Sequence, residues 1–141
     1  MIMKNSIRKA LKIATDAHRG FYDRSGAPYI NHPYTVSKMV KGRKAKIVAL
    51  LHDVLEDSDV KLETLEKFFT KDVCEAVVLL TKKKNQNYFT YITKLKDNDL
   101  ARVVKIADLK HNMDVTRLDC IEANDIVRLK KYLCSYHVLN S

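Results

Sequence analysis

The chain has 141 residues, 46% hydrophobic and 30% charged, which fits one globular domain with a real core and excludes a disordered or fibrous chain. The formal net charge of +9 at pH 7 attracts anions such as nucleotides, nucleic acid or an acidic surface, and by itself names none of them. There is no secretory leader and no apolar run long enough to span a bilayer, and Cys74, Cys120 and Cys134 lack CxxC spacing, so a cytoplasmic protein with reduced, partly buried thiols and no membrane partner is expected.

Three Gly and two Pro leave room for few sharp turns. The first predicted helix covers 6–19, where Ile7, Ala10, Leu11, Ala14 and Ala17 recur at helical spacing before Gly20 stops it. Residues 20–29, GFYDRSGAPY, read as a loop, and a short helix follows over 33–41. The third helix is expected over 43–57, the fourth over 61–70 with Leu62, Leu65, Phe68 and Phe69 on one side, and the fifth over 73–80. Lys82, Lys83 and Lys84 read as a solvated helix end, and residues 85–87 as a loop. Further helices are predicted over 88–96, 100–118 and 125–139, with Tyr132, Tyr136 and Leu139 turned to the core. No alternating strand pattern or repeat interrupts them. The expected fold is all-α, a single compact bundle of about 7–8 helices over residues 1–141.

The chemistry concentrates in ALLHDVLED, residues 49–57. On a wheel of roughly 100° per residue, His52, Asp53, Glu56 and Asp57 share an arc with Ala49, opposite Ile47, Val48, Leu51, Val54 and Leu55. That arc is either a site or the wet face of an amphipathic helix. The helix over 100–118 bears on the choice, because Asp108 falls on a stripe with Ala101, Val104 and Val115. A carboxylate there needs a cation or donors to be buried, and a salt bridge to Lys105 is the plain alternative to a functional role. Asn112 projects from the same face one turn on and is a candidate donor or substrate contact. His32 stands directly before Pro33 at a helix entrance, where a structural role is as open as ligation. Together His32, His52, Asp53 and Asp108 offer two imidazoles and two carboxylates, a set that suits Mn, Fe or Zn better than Ca.

HPYTVSKMV, ALLHDVLED and VKIADLKHNM, in that order, resemble the HD-domain phosphohydrolases. Within them the chain is most similar to the hydrolase domain of RelA/SpoT-type enzymes and to stand-alone small alarmone hydrolases, over about residues 7–118. The resemblance implies an all-helical HD-domain bundle and one divalent metal, usually Mn²⁺, with Zn²⁺ or Fe²⁺ as substitutes. It puts the ligands on His32, His52, Asp53 and Asp108, the catalytic acidic pair on Glu56 and Asp57, and nucleotide contacts on Asn112 and Arg24. Glu56 is expected to relay the proton and Asp57 to orient water; Lys105 and Lys110 are weaker candidates for substrate contact, each more simply read as a solvated face. The implied reaction removes the 3′-pyrophosphate of (p)ppGpp, and with no synthetase segment in view, hydrolysis alone is expected.

The chain departs from the family pattern at Asp23, where a second basic residue is usual, and at Val115, where a Thr usually follows the HNM block. It also has one further helix where alarmone hydrolases usually carry more. An acid at 23 must point away from a polyanionic substrate or repel it. Two other readings therefore stand beside the first: hydrolysis of another nucleotide or dinucleotide phosphate, and a basic module that binds nucleotide or nucleic acid without turnover. The binding module leaves the metal set and the acidic pair unexplained, so nucleic acid is not the expected partner.

Overall fold

A computed structural model describes residues 3–141. Among them the chain forms α1 (Ile7–Ala17), α2 (Asn31–Met39), α3 (Arg43–Leu51), α4 (Val54–Asp57), α5 (Leu62–Phe68), α6 (Lys71–Leu80), α7 (Tyr88–Lys96), α8 (Asp99–Asn112), a 3-10 turn (Val115–Arg117) and α9 (Ala123–Leu139). The all-α expectation is met. Side-chain caps explain several of the starts: Ser6 accepts the Lys9 N–H, Asn87 those of Phe89 and Thr90, and Asn98 that of Ala101. At α9, Glu122 and Asp125 cap each other's backbone reciprocally.

α3 is the centre of the molecule, with α1, α2, α6 and α8 packed around it. Ile47, Val48, Ala49, Leu50 and Leu51 are buried in succession, so the C-terminal part of this helix is apolar all round. The amphipathic wheel drawn over 43–57 is thereby corrected. A second correction follows from it: the helix stops at Leu51, His52 and Asp53 form a turn, and α4 is a separate single turn. Glu56 and Asp57 therefore do not close a long helix.

Elsewhere the differences are local. The helix expected to reach 118 ends at Asn112, because Asp114 accepts the Thr116 N–H and starts the 3-10 turn, which takes Val115 off the Asp108 stripe. α2 begins at Asn31, so Pro33 sits in its first turn, where a missing N–H costs nothing. Leu139 is buried, and Tyr132 and Tyr136 pack against the core. Cys74 is buried, whereas Cys120 and Cys134 are exposed, contrary to the expectation for the latter two. Among the described residues no helix is long and apolar enough to cross a membrane.

Because Leu51 is fully buried at the end of the central helix, Leu51→Ala is expected to lower the unfolding free energy by about 2–5 kcal/mol. Urea denaturation checks this as a lower midpoint at unchanged slope.

Candidate metal centre

The end of α3 sets the centre. A helix that terminates inside a core leaves carbonyls that water cannot reach, and the Ala49 carbonyl is met by His52 Nδ1. That hydrogen bond puts the proton on Nδ1 and turns Nε2 inward. Nε2 is buried without a hydrogen-bond partner, yet it lies 3.1 Å from Asp53 Oδ2 and 3.4 Å from Asp108 Oδ1. A nitrogen lone pair facing two carboxylates is repulsive unless a cation sits among them, and the donor chemistry therefore fits a divalent metal. Burial alone would lower the His52 pKa; the two carboxylates more than reverse it, so a proton takes the position when a metal does not.

His32, buried in the first turn of α2, brings Nε2 to 2.7 Å from Asp108 Oδ1. The donor atoms of His32, His52 and Asp53 all lie within 4.8 Å of one another. Asp108 is buried on α8 and also accepts from Lys105 Nζ at 2.9 Å and Asn112 Nδ2 at 3.1 Å. Burial works to raise its pKa, but Lys105 and the two imidazoles hold it well below the usual carboxylate range. The salt bridge and the functional cluster, set out as alternatives for Asp108, are both present. Lys105 is correspondingly not a solvated face; its side chain is 12% exposed.

Two residues passed over in the sequence complete the cluster. Tyr29 donates its hydroxyl to Asp53 Oδ2 at 2.6 Å, and burial and the Asp53 charge keep that phenol protonated. His111 Nδ1 lies 2.7 Å from His32 Nδ1 with the rings stacked, and burial followed by His32 pushes its pKa down to about 4. A neutral His111 can accept from His32 Nδ1–H, which frees His32 Nε2 to offer a lone pair. Spacing held the signals: Tyr29 is three residues before His32, and His111 three after Asp108. Asp53 itself, despite burial, is lowered to about 2 by the adjacent His52.

Beyond this cluster, Glu56 Oε1 accepts the Lys82 N–H at 3.1 Å, just past the end of α6, where Lys83 and Lys84 are exposed as expected. Glu56 faces a cavity of about 410 Å³ that also reaches Asp53, Asp108 and Asn112. Asp57 turns instead to a groove alongside Ile13 and Phe21. Partial burial and then the Asp53 charge raise both acids, Asp57 to about 6. A second cavity of about 360 Å³, lined by Arg24, Arg117, Arg128 and Leu118 among others, shares Tyr29, Asn112 and Tyr132 with the first. Arg24 does reach it, though its guanidinium is held by Asp125 at 2.9 Å. Asp23 also lines the second cavity, where it accepts from Ser25 N at 2.9 Å and Ala27 N at 3.0 Å and pairs with Arg117 at 3.4 Å, so the charge that departs from the pattern is compensated in place. Lys110 is exposed and lies over the Tyr136 ring, away from both cavities.

The family model for the HD domain matches residues 10–117. The guanosine-3′,5′-bis(diphosphate) 3′-pyrophosphohydrolase of Borreliella burgdorferi is 35% identical over 96% of this chain and 22% of its own length. The bifunctional (p)ppGpp synthase/hydrolase SpoT of Escherichia coli K12 is 34% identical over 76% of this chain and 17% of its own. The chain thus spans about a fifth of these curated relatives. A solved metazoan ortholog of SpoT, described as hydrolysing ppGpp and acting in starvation responses, superposes with a TM-score of 0.76 over 94% of this chain and 84% of that one; at 24% identity the likeness is one of fold.

The raised Asp57 pKa carries a stability consequence. An acid whose folded pKa lies above its unfolded value favours folding when protonated, so its penalty develops as pH rises from 3.8 to about 6 and is complete above that. Asp57→Asn is expected to raise the melting temperature of the metal-free protein at pH 7.5 and to leave it nearly unchanged at pH 3.5, a difference that calorimetry at the two pH values reads directly.

Proposed function

We propose, since the chain belongs to the HD domain family, that it is a metal-dependent phosphohydrolase which removes the 3′-pyrophosphoryl group of (p)ppGpp, releasing pyrophosphate and GDP or GTP. The observation that carries this reading is His52 Nε2, turned between two carboxylates by the hydrogen bond of Nδ1 to the Ala49 carbonyl, with Asp53 and Asp108 opening onto a cavity that Glu56 also lines. The activities for which the Borreliella and Escherichia relatives are named point to the substrate. We assign His32, His52, Asp53 and Asp108 as the ligands of one divalent ion; the mixed nitrogen and oxygen donors suit Mn²⁺, Zn²⁺ or Fe²⁺, and the resemblance to the family favours Mn²⁺ among them. The free thiols favour placement in the cytoplasm.

When bound, such an ion lowers the pKa of a water and presents positive charge to a phosphoryl oxygen. The remaining chemistry falls to the chain. Glu56, whose pKa is raised by burial and by Asp53, takes a proton from the attacking water as its oxygen bonds to phosphorus. The phosphorus–O3′ bond breaks, the proton passes to O3′, and pyrophosphate leaves with the water oxygen. Asp57, whose own proton affinity is raised by burial, Asp53 and Glu56, orients water from the outer side. Tyr29 and His111 hold Asp53 and His32 in their ligating geometry. Asn112, common to both cavities, contacts the substrate at the junction, and Arg24 does so at the mouth of the second cavity.

Arg24 is tied to Asp125, and this gives a specific reason to keep a second nucleoside phosphate in the test. Purified protein with Mn²⁺ is expected to convert ppGpp to GDP and pyrophosphate in preference to deoxynucleoside triphosphates or a dinucleotide phosphate. His52→Ala should abolish turnover, and Glu56→Gln should lower kcat by about 10²–10⁴-fold with Mn²⁺ still bound. Absence of turnover across the whole panel, or wild-type activity in His52→Ala, would contradict the proposal.

A further inference from the structure

The second cavity carries many charges and is neutral as a whole. Its lining sets three guanidiniums, Arg24, Arg117 and Arg128, against three carboxylates, Asp23, Asp114 and Asp125. Each guanidinium is already engaged. Arg24 and Arg128 share Asp125 at 2.9 and 2.7 Å, and Arg117 pairs with Asp23 at 3.4 Å. The cavity beside Glu56 has the same balance, three lysines against three acids, but two of those acids are candidate ligands, and a divalent ion turns it positive. Among the described residues no such ligand group lies in the second cavity.

Asp23 decides this balance. Burial works to raise its pKa, but Ser25, Ala27 and Arg117 lower it below the ordinary carboxylate value, so the group is ionised at neutral pH. Its side chain is 14% exposed, which leaves the charge incompletely screened. A basic residue here, as in the family pattern, would free Arg117 and leave the lining with two positive charges in excess. On the hydrolytic reading the 3′-pyrophosphoryl group lies at the metal centre. Tyr29, Asn112 and Tyr132, common to both cavities, then lead the nucleoside into the second. A 5′-phosphate chain meets no free cation there; it must approach Asp23 or displace it from Arg117, and each added phosphate raises the cost. We propose that Asp23 is a specificity-determining residue, which through its pair with Arg117 makes this chain prefer nucleoside 3′-pyrophosphates with the fewest 5′-phosphates.

The proposal rests on the hydrolytic reading for the orientation of the substrate, but the charge selection can also be read without turnover. Guanosine 3′-pyrophosphates bearing a 5′-mono-, di- or triphosphate are compared as substrates with Mn²⁺. In the wild type kcat/KM is expected to fall by about 3- to 10-fold for each added 5′-phosphate, mainly through KM, and the spread should narrow as salt is raised. Asp23→Asn keeps an oxygen to accept from Ser25 and Ala27 while removing the charge. It is expected to bring the three substrates within about twofold of one another, and Asp23→Lys to reverse their order. GMP, GDP and GTP, titrated calorimetrically into the protein without added metal, should bind in the same order, levelled in Asp23→Asn. Equal kcat/KM for the three substrates in the wild type, or an undiminished spread in Asp23→Asn, would overturn the proposal. If the nucleotides bind in this order and no 3′-pyrophosphate is turned over, the hydrolytic reading fails and the charge selection stands. If ppGpp is turned over and the 5′-phosphates make no difference, the reverse holds; neither turnover nor binding would overturn both.

Discussion

The hydrogen bond from His52 Nδ1 to the Ala49 carbonyl is the constraint on which the centre depends. From Ile47 to Leu51 α3 is buried on every face, so its last carbonyls have no water to turn to. By satisfying one of them, His52 ends the helix and acquires a single tautomer. The turn at His52 and Asp53 then brings Asp53 beside its neighbour's imidazole and starts α4, which carries Glu56 and Asp57 past the ligating groups. A structural requirement of the core and the chemical requirement of a metal ligand are met by the same proton.

The surrounding charges balance only as a set. Asp108 is buried at a cost that Lys105, His32 and Asn112 offset together, and Asp53 leans on His52 and Tyr29. Those contacts neutralise the ligating carboxylates but leave Glu56 and Asp57 repelled by Asp53. The two acids are thus left with raised proton affinity beside a cavity and a groove, a local instability of the sort that accompanies proton-transfer sites. The lysines lining the cavity, from α8, α9 and the segment after α6, give the +9 net charge a place to act.

Much of this was legible in the sequence. Helical periodicity alone recovers the elements, because long apolar stripes with few glycines leave no competing pattern. Asp108 on an apolar stripe pointed to a buried, compensated carboxylate, and it is one. The wheel over 43–57 misled for an identifiable reason: periodicity assumes a continuous helix with one wet face, and α3 is surrounded on all sides. Tyr29 and His111 carried only a spacing signal, three residues from His32 and Asp108, and their places, like the cavity face of Lys131, come from tertiary contacts between segments far apart in sequence. Lys105 was legible as a partner of Asp108 by its three-residue spacing, though not as a wall of a cavity.

The central claim is that His32, His52, Asp53 and Asp108 surround one divalent ion. Its most direct test is anomalous diffraction at the manganese edge from crystals of the Mn²⁺-loaded protein. The account predicts a single strong peak bonded to His32 Nε2, His52 Nε2 and carboxylate oxygens of Asp53 and Asp108, with His52 Nδ1 still on the Ala49 carbonyl. A peak at another place in the fold, or no peak with the His32–Asp108 contact intact, would contradict it.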